Sequence, residues 1–188
     1  MENRVGFMPR AAAFMLDAAI VWALGLALQR PVAALFSGAV AAMIREISAR
    51  PDAEQLRPAM EWVARLGVST TIVAPFYGLI EAIRGWSPGK LLLGLRVVTE
   101  TGHKAPLLSL LIRAAIKNAA SVIAVAAMLT GARSLNGLVQ ATAWATWVGC
   151  LLVLTGPRTA LHDRIAGTAV LRKADVAMTT AGARGATS

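Results

Sequence analysis

Four stretches of this chain are long and apolar enough to dictate its surroundings. They run from about Pro9 to Leu28, Trp62 to Ile83, Leu107 to Leu129 and Leu138 to Leu154. Each reaches or approaches the ~20 apolar residues that carry a helix across a hydrocarbon layer about 30 Å thick. Of the 188 residues 56% are hydrophobic and only 15% charged, with a mean hydropathy of +0.60, a balance foreign to a water-soluble domain of this size. The expected fold is an all-α membrane protein, a bundle of four transmembrane helices. The first of these could be mistaken for a cleaved leader. Its apolar run from Ala11 to Leu28 outlasts a secretory h-region, contains Asp17 and ends at Gln29, Arg30 and Pro31 without a small-residue cleavage site, so it reads as a retained helix.

The segments between the spans differ in kind. Residues 32–61 form an extracytoplasmic loop; its apolar part, Val32 to Ile47, is short for a span and reads as an interfacial helix or an extension of helix one. The following RPDAEQLRPAMEW, with charges of both signs and two prolines, reads as a solvated loop. Pro31 marks the end of helix one, and Pro75 a kink in helix two. Between helices two and three, RVVTETGHK has the composition of a short β-hairpin at the cytoplasmic surface. The small, polar tail 174–188 reads as disordered.

The net charge of +9 does not imply a nucleic-acid partner, because the basic residues sit in the gaps between apolar runs. Arg4 and Arg10 precede helix one; Arg84, Lys90, Arg96 and Lys104 follow helix two; Arg158, Arg164, Arg172, Lys173 and Arg184 follow helix four. In the first gap, Arg50 and its neighbours are balanced by acids such as Asp52, and the third gap holds only Arg133. The positive-inside tendency therefore places both termini in the cytoplasm.

The spans also carry charge. Asp17 lies in helix one with Arg10 two turns earlier on nearly the same face, about 10 Å away along the axis. A carboxylate at that depth costs several kcal/mol unless something compensates it. Arg113 and Lys117, one turn apart on helix three, are its expected partners. Glu81, in the last turn of helix two, is expected to pair with Arg84 or with a base of helix three, and Tyr77 on the same face to donate to it. Asp17 has two readings. It is a site where an ion or proton is exchanged, or it is half of an ion pair that locks helix one to helix three.

Taken in order, Arg10 and Asp17, Tyr77 and Glu81, GWSPGKLLLGLRVV, Arg113 and LHDRIAGTAVLRK resemble the RDD family of small bacterial membrane proteins from about Arg10 to Arg172. The family is named for an arginine and two aspartates. The resemblance assigns these to Arg10, Asp17 and Asp163. It implies a multi-pass protein of the bacterial cytoplasmic membrane, for which transport of unidentified ligands has been suggested and, in some members, sodium/proton antiport. The long first loop and the apolar stretch after helix one depart from the commoner pattern.

Other motifs carry less. GWSPGK has three residues between its glycines where a phosphate loop has four, and Leu91 follows the lysine, so it reads as a turn with Lys90 facing lipid headgroups. His162 and Asp163 are adjacent and point to different faces, which disfavours a shared metal; they read as an anchor for the tail. Cys150 is a lone cysteine in an apolar run. No nucleophile–base constellation stands out, so neither an enzyme nor a cofactor is expected. The expected function is movement of a small ion or solute, possible cation/proton exchange included, with Asp17 as the coupling carboxylate and Arg10, Glu81, Arg113, Lys117 and Asp163 around it. The alternative is an accessory or assembly subunit of a membrane complex. Four helices leave little room for a pathway, which points to a homodimer through the small face Ala141, Ala145 and Gly149 of helix four.

Overall fold

In a computed structural model of the chain, residues 4–47, 53–132, 134–155 and 158–176 are described. Arg50, Asp52, Arg133 and the tail from residue 177 onward lie outside them. Four helices are long and apolar enough to cross a membrane: α1 (Phe7–Leu35), α3 (Ala53–Arg84), α5 (Leu107–Thr130) and α6 (Leu135–Leu151), the last prolonged by a 3₁₀ turn to Leu154. Between them come α2 (Ser37–Ile47), α4 (Pro88–Leu92) and β1 (Leu95–Thr99), and after them α7 (Leu161–Ile165) and β2 (Thr168–Arg172).

Two helices are longer than their sequence suggests. α1 runs through Pro31 and stops only at Phe36, whose N–H reaches Val32 O at 2.9 Å. Residues 32–35 are thus an extension of helix one, while Ser37–Ile47 is a separate helix packed on α3. Its Val40 meets Ala64 and Val68 in an apolar cluster joined by Phe36, Met43 and Met128. α3 begins at Ala53, so the expected solvated loop is helical from that residue onward. Pro58 lies inside the helix and costs it one backbone N–H, and Arg57 and Arg65 both pair with Glu61 one turn away.

Antiparallel packing stacks α1 on α3 and α3 on α5. It brings the N-terminal half of α1, the C-terminal half of α3, the N-terminal half of α5 and the end of α6 to one end of the bundle. Asp17 meets Tyr77, Glu81 meets Arg113, and Phe14 packs edge-on against Trp147 with centroids 5.5 Å apart. A two-stranded antiparallel sheet closes this end. β1 lies where a strand is expected, and turns through Thr99–His103 to a single bridge between Val98 and Lys104. Its ladder partner comes from the far end of the chain: Leu95 pairs with Arg172 and Thr99 with Thr168. The other side of β2 takes Val5, whose N–H donates to Val170 O at 3.1 Å. Val5, Ala13, Leu95, Val97, Leu110 and Val170 form the core beneath the sheet.

Candidate functional site

The charged end of the bundle holds three buried carboxylates in two settings. Asp17 is 7% exposed and, among the described residues, is held by neutral donors only. The Tyr77 hydroxyl donates to Oδ1 at 2.6 Å, the Ser87 hydroxyl to Oδ2 at 2.5 Å and the Gly89 N–H to Oδ1 at 2.8 Å. The segment RGWSPGK creates this cradle. Gly85 takes φ +70° to end α3, and Ser87 in extended conformation with Pro88 starts α4, so that its first-turn N–H faces the carboxylate. A Cβ on Gly89 would strike Ala13 O and approach Asp17 Oδ1 to 2.9 Å, which leaves glycine as the residue that fits.

Glu81 and Asp163 sit among cations instead. Glu81, 4% exposed, accepts from Lys90, from Arg113 Nε at 3.1 Å and from Lys117 Nζ at 2.7 Å. Asp163, fully buried, is paired with Arg10 Nη1 at 2.5 Å and with Arg113, and its Oδ2 also accepts the Ala160 N–H at 3.2 Å. Arg113 bridges the two carboxylates and donates to Thr168 Oγ1 on β2 at 3.1 Å. Arg10 adds bonds to Val5 O and Arg158 O, tying the start of α1 to the chain that precedes α7.

Outside the spanning segments, two groups in this network are displaced from their ordinary titration ranges. Burial pulls the Lys90 ammonium down to about 7, with Glu81 opposing that shift and Lys117 and Arg113 reinforcing it. Burial, helped by Arg113 and Lys117, pulls His162 down to about 2, so the imidazole is neutral although Asp163 Oδ1 lies 3.6 Å from its Nε2.

Several expectations are corrected by this arrangement. Asp17 has no ion pair with Arg113 or Lys117; those bases are drawn to Glu81, which lies on the face of α3 turned to α5. Tyr77 donates to Asp17, one helix away, not to Glu81 on its own helix. Lys90 does not face headgroups but is buried on Glu81. Glu81 does pair with bases of α5, while Arg84 lies over the Trp86 ring. Ser87, Gly89, Lys90 and Thr168 escape a reading by charge and spacing. The signal available for the first three is a Ser-Pro pair between two glycines at a helix exit, a helix start able to receive an anion. Among the described residues no three of His, Cys, Asp and Glu are placed to hold a metal ion.

A model of the RDD family matches residues 4–167. The chain belongs to the RDD family. No curated protein and no solved structure matches it. Membership together with four spanning-length helices makes this RDD chain an integral membrane protein. In it the arginine and the residue taken as the second aspartate, Arg10 and Asp163, are in direct contact, whereas Asp17 stands apart in its cradle of neutral donors.

Proposed function

We propose that this RDD-family protein moves a small ion or solute across the bacterial cytoplasmic membrane, cation/proton exchange included, with Asp17 as the coupling carboxylate. The observation that carries this reading is the company Asp17 keeps. A carboxylate retained in a spanning helix only to fasten it to a neighbour is expected to face a cation, and Arg113 and Lys117 are close at hand on α5. Asp17 instead has two hydroxyls and one backbone N–H. Ser87 Oγ and Tyr77 Oη are oxygens that can turn from donating to the carboxylate to ligating beside it, so a hard cation or a proton can replace what they supply. Arg10, Glu81, Arg113, Lys117 and Asp163 form the neighbouring lock that fixes the helices around it. Both termini face the cytoplasm in this reading, and a homodimer supplies the room for a pathway that four helices lack.

A second reading, a non-catalytic accessory or assembly subunit, draws support from that same lock, in which Glu81 and Asp163 are fully partnered and shut away from solvent. Flux of sodium, potassium and protons in proteoliposomes, for wild type beside Asp17→Asn, separates the two. Transport predicts flux that vanishes in a variant whose thermal stability is close to wild type. Absence of flux from both proteins, with the variant markedly less stable, rejects transport and favours the subunit.

A further inference from the structure

The buried cations near the sheet are met by the chain's own carboxylates, but among the described residues one basic pair at its edge is not. A cleft of about 690 Å³ lies between the first turns of α1 and the turn joining α4 to β1. Met8, Ala12 and Leu93 form exposed apolar parts of its wall. Arg172 and Lys173 stand at its edge, both exposed. Among the described residues no acidic residue lines the cleft. Among the described residues neither cation is in an ion pair.

We propose that this cleft binds one anionic glycerophospholipid, its phosphate and headgroup on Arg172 and Lys173 and its chains along Met8, Ala12 and Leu93. Three features select that occupant. Met8 and Ala12 belong to a helix of spanning length, which turns that side of the cleft towards lipid. The volume falls within the ~300–1,000 Å³ of sites that enclose a drug-sized ligand, enough for a headgroup and glycerol and far more than a bare phosphate needs. The two cations are also preset: Arg172 is paired in the sheet with Leu95, and the Lys173 N–H donates to Gly94 O at 2.8 Å, which holds the backbone of both against the cleft. Charge complementarity then favours a lipid with net negative charge over a zwitterionic one, whose own ammonium would compete with Arg172 and Lys173 for the phosphate.

The test is titration of the full-length protein in detergent with short-chain phosphatidylglycerol, followed by ligand-induced thermal shift and by native mass spectrometry. Phosphatidylcholine of the same chain length, glycerol phosphate and inorganic phosphate serve as comparisons. Phosphatidylglycerol is expected to bind one per chain and to stabilise the protein, while the comparisons do not. Arg172→Gln with Lys173→Gln is expected to weaken that binding by roughly thirtyfold, two interfacial cations' worth. Ala12→Trp, which places an indole across the apolar side of the cleft and keeps both charges, is expected to abolish the one-per-chain complex, and it decides the matter if the double variant fails to fold. Equal binding of phosphatidylcholine, competition by glycerol phosphate or inorganic phosphate at the same concentration, or unchanged phosphatidylglycerol binding in the folded variants would each overturn the proposal.

Discussion

Glu81 holds three cations at once, so its removal exposes how tightly this end of the bundle is coupled. Glu81→Gln leaves Lys90, Arg113 and Lys117 without that carboxylate in a buried setting, and stability should fall by about 3–5 kcal/mol, the usual penalty for breaking one side of a buried ion pair. Denaturation in detergent measures it. His162 gives a second prediction. Its folded pKa of about 2 lies below the unfolded value near 6.5, so the unfolded chain takes up a proton that the folded one refuses. The associated stability is complete above pH 6.5 and is lost as pH falls towards 2. His162→Gln has no proton to gain, so between pH 6.5 and 5 it should lose about 1.5 kcal/mol less than wild type in parallel unfolding curves. Of the residues involved, the ionisable ones were legible from charge inside apolar runs: Arg10, Asp17, Glu81, Arg113, and Asp163 through the family resemblance. The pairing of Glu81 with bases of helix three was legible too, but the company of Asp17 was not, because which face of α3 meets α1 and which meets α5 depends on packing, and that gave Arg113 and Lys117 to Glu81 and Tyr77 to Asp17.

α4 is only five residues long, yet it touches both carboxylate settings, with Gly89 on Asp17 and Lys90 on Glu81. Its fit against α1 is close. Gly89→Ala should cost about 1–3 kcal/mol, the range for overpacking a tight contact, and should lower thermal stability even though alanine is the better helix former. If the variant matches wild type in a melting experiment, α4 is not held against α1 as closely as the geometry implies. At this scale the four spanning helices were readable because a run of about twenty apolar residues permits few alternatives. Their ends were not. Pro31 and Pro58 look like boundaries in sequence, but a proline removes a single N–H and neighbouring packing can carry a helix past it. The ladder partner of β1 was equally hidden, since nothing local in Leu95–Thr99 announces a mate at Thr168–Arg172.

Seen whole, the molecule has one end that buries its charges and another whose described ion pairs, Arg57 and Arg65 with Glu61, lie at the surface. The first gathers α4, the sheet, α7 and the buried charges; the other holds α2 on α3. An up-and-down bundle in a membrane must present these ends on opposite sides. On a Cys150→Ala background, single cysteines at Thr101, in the exposed turn after β1, and at Arg57, on the exposed start of α3, should therefore react with an impermeant maleimide from opposite faces of right-side-out vesicles, Arg57→Cys from outside. Reaction of both from the same face would reject the four-span arrangement. The ion pair between Arg10 and Asp163 joins positions 153 residues apart, and that interval has a meaning in time. A ribosome releases helix one long before it makes Asp163, so Arg10 enters the membrane machinery without its anion, while Arg113 arrives with Glu81 already made and Asp163 still to come. The bundle can close only after the last residues of β2 emerge, and until then the chain is in the care of whatever shelters half-built membrane proteins.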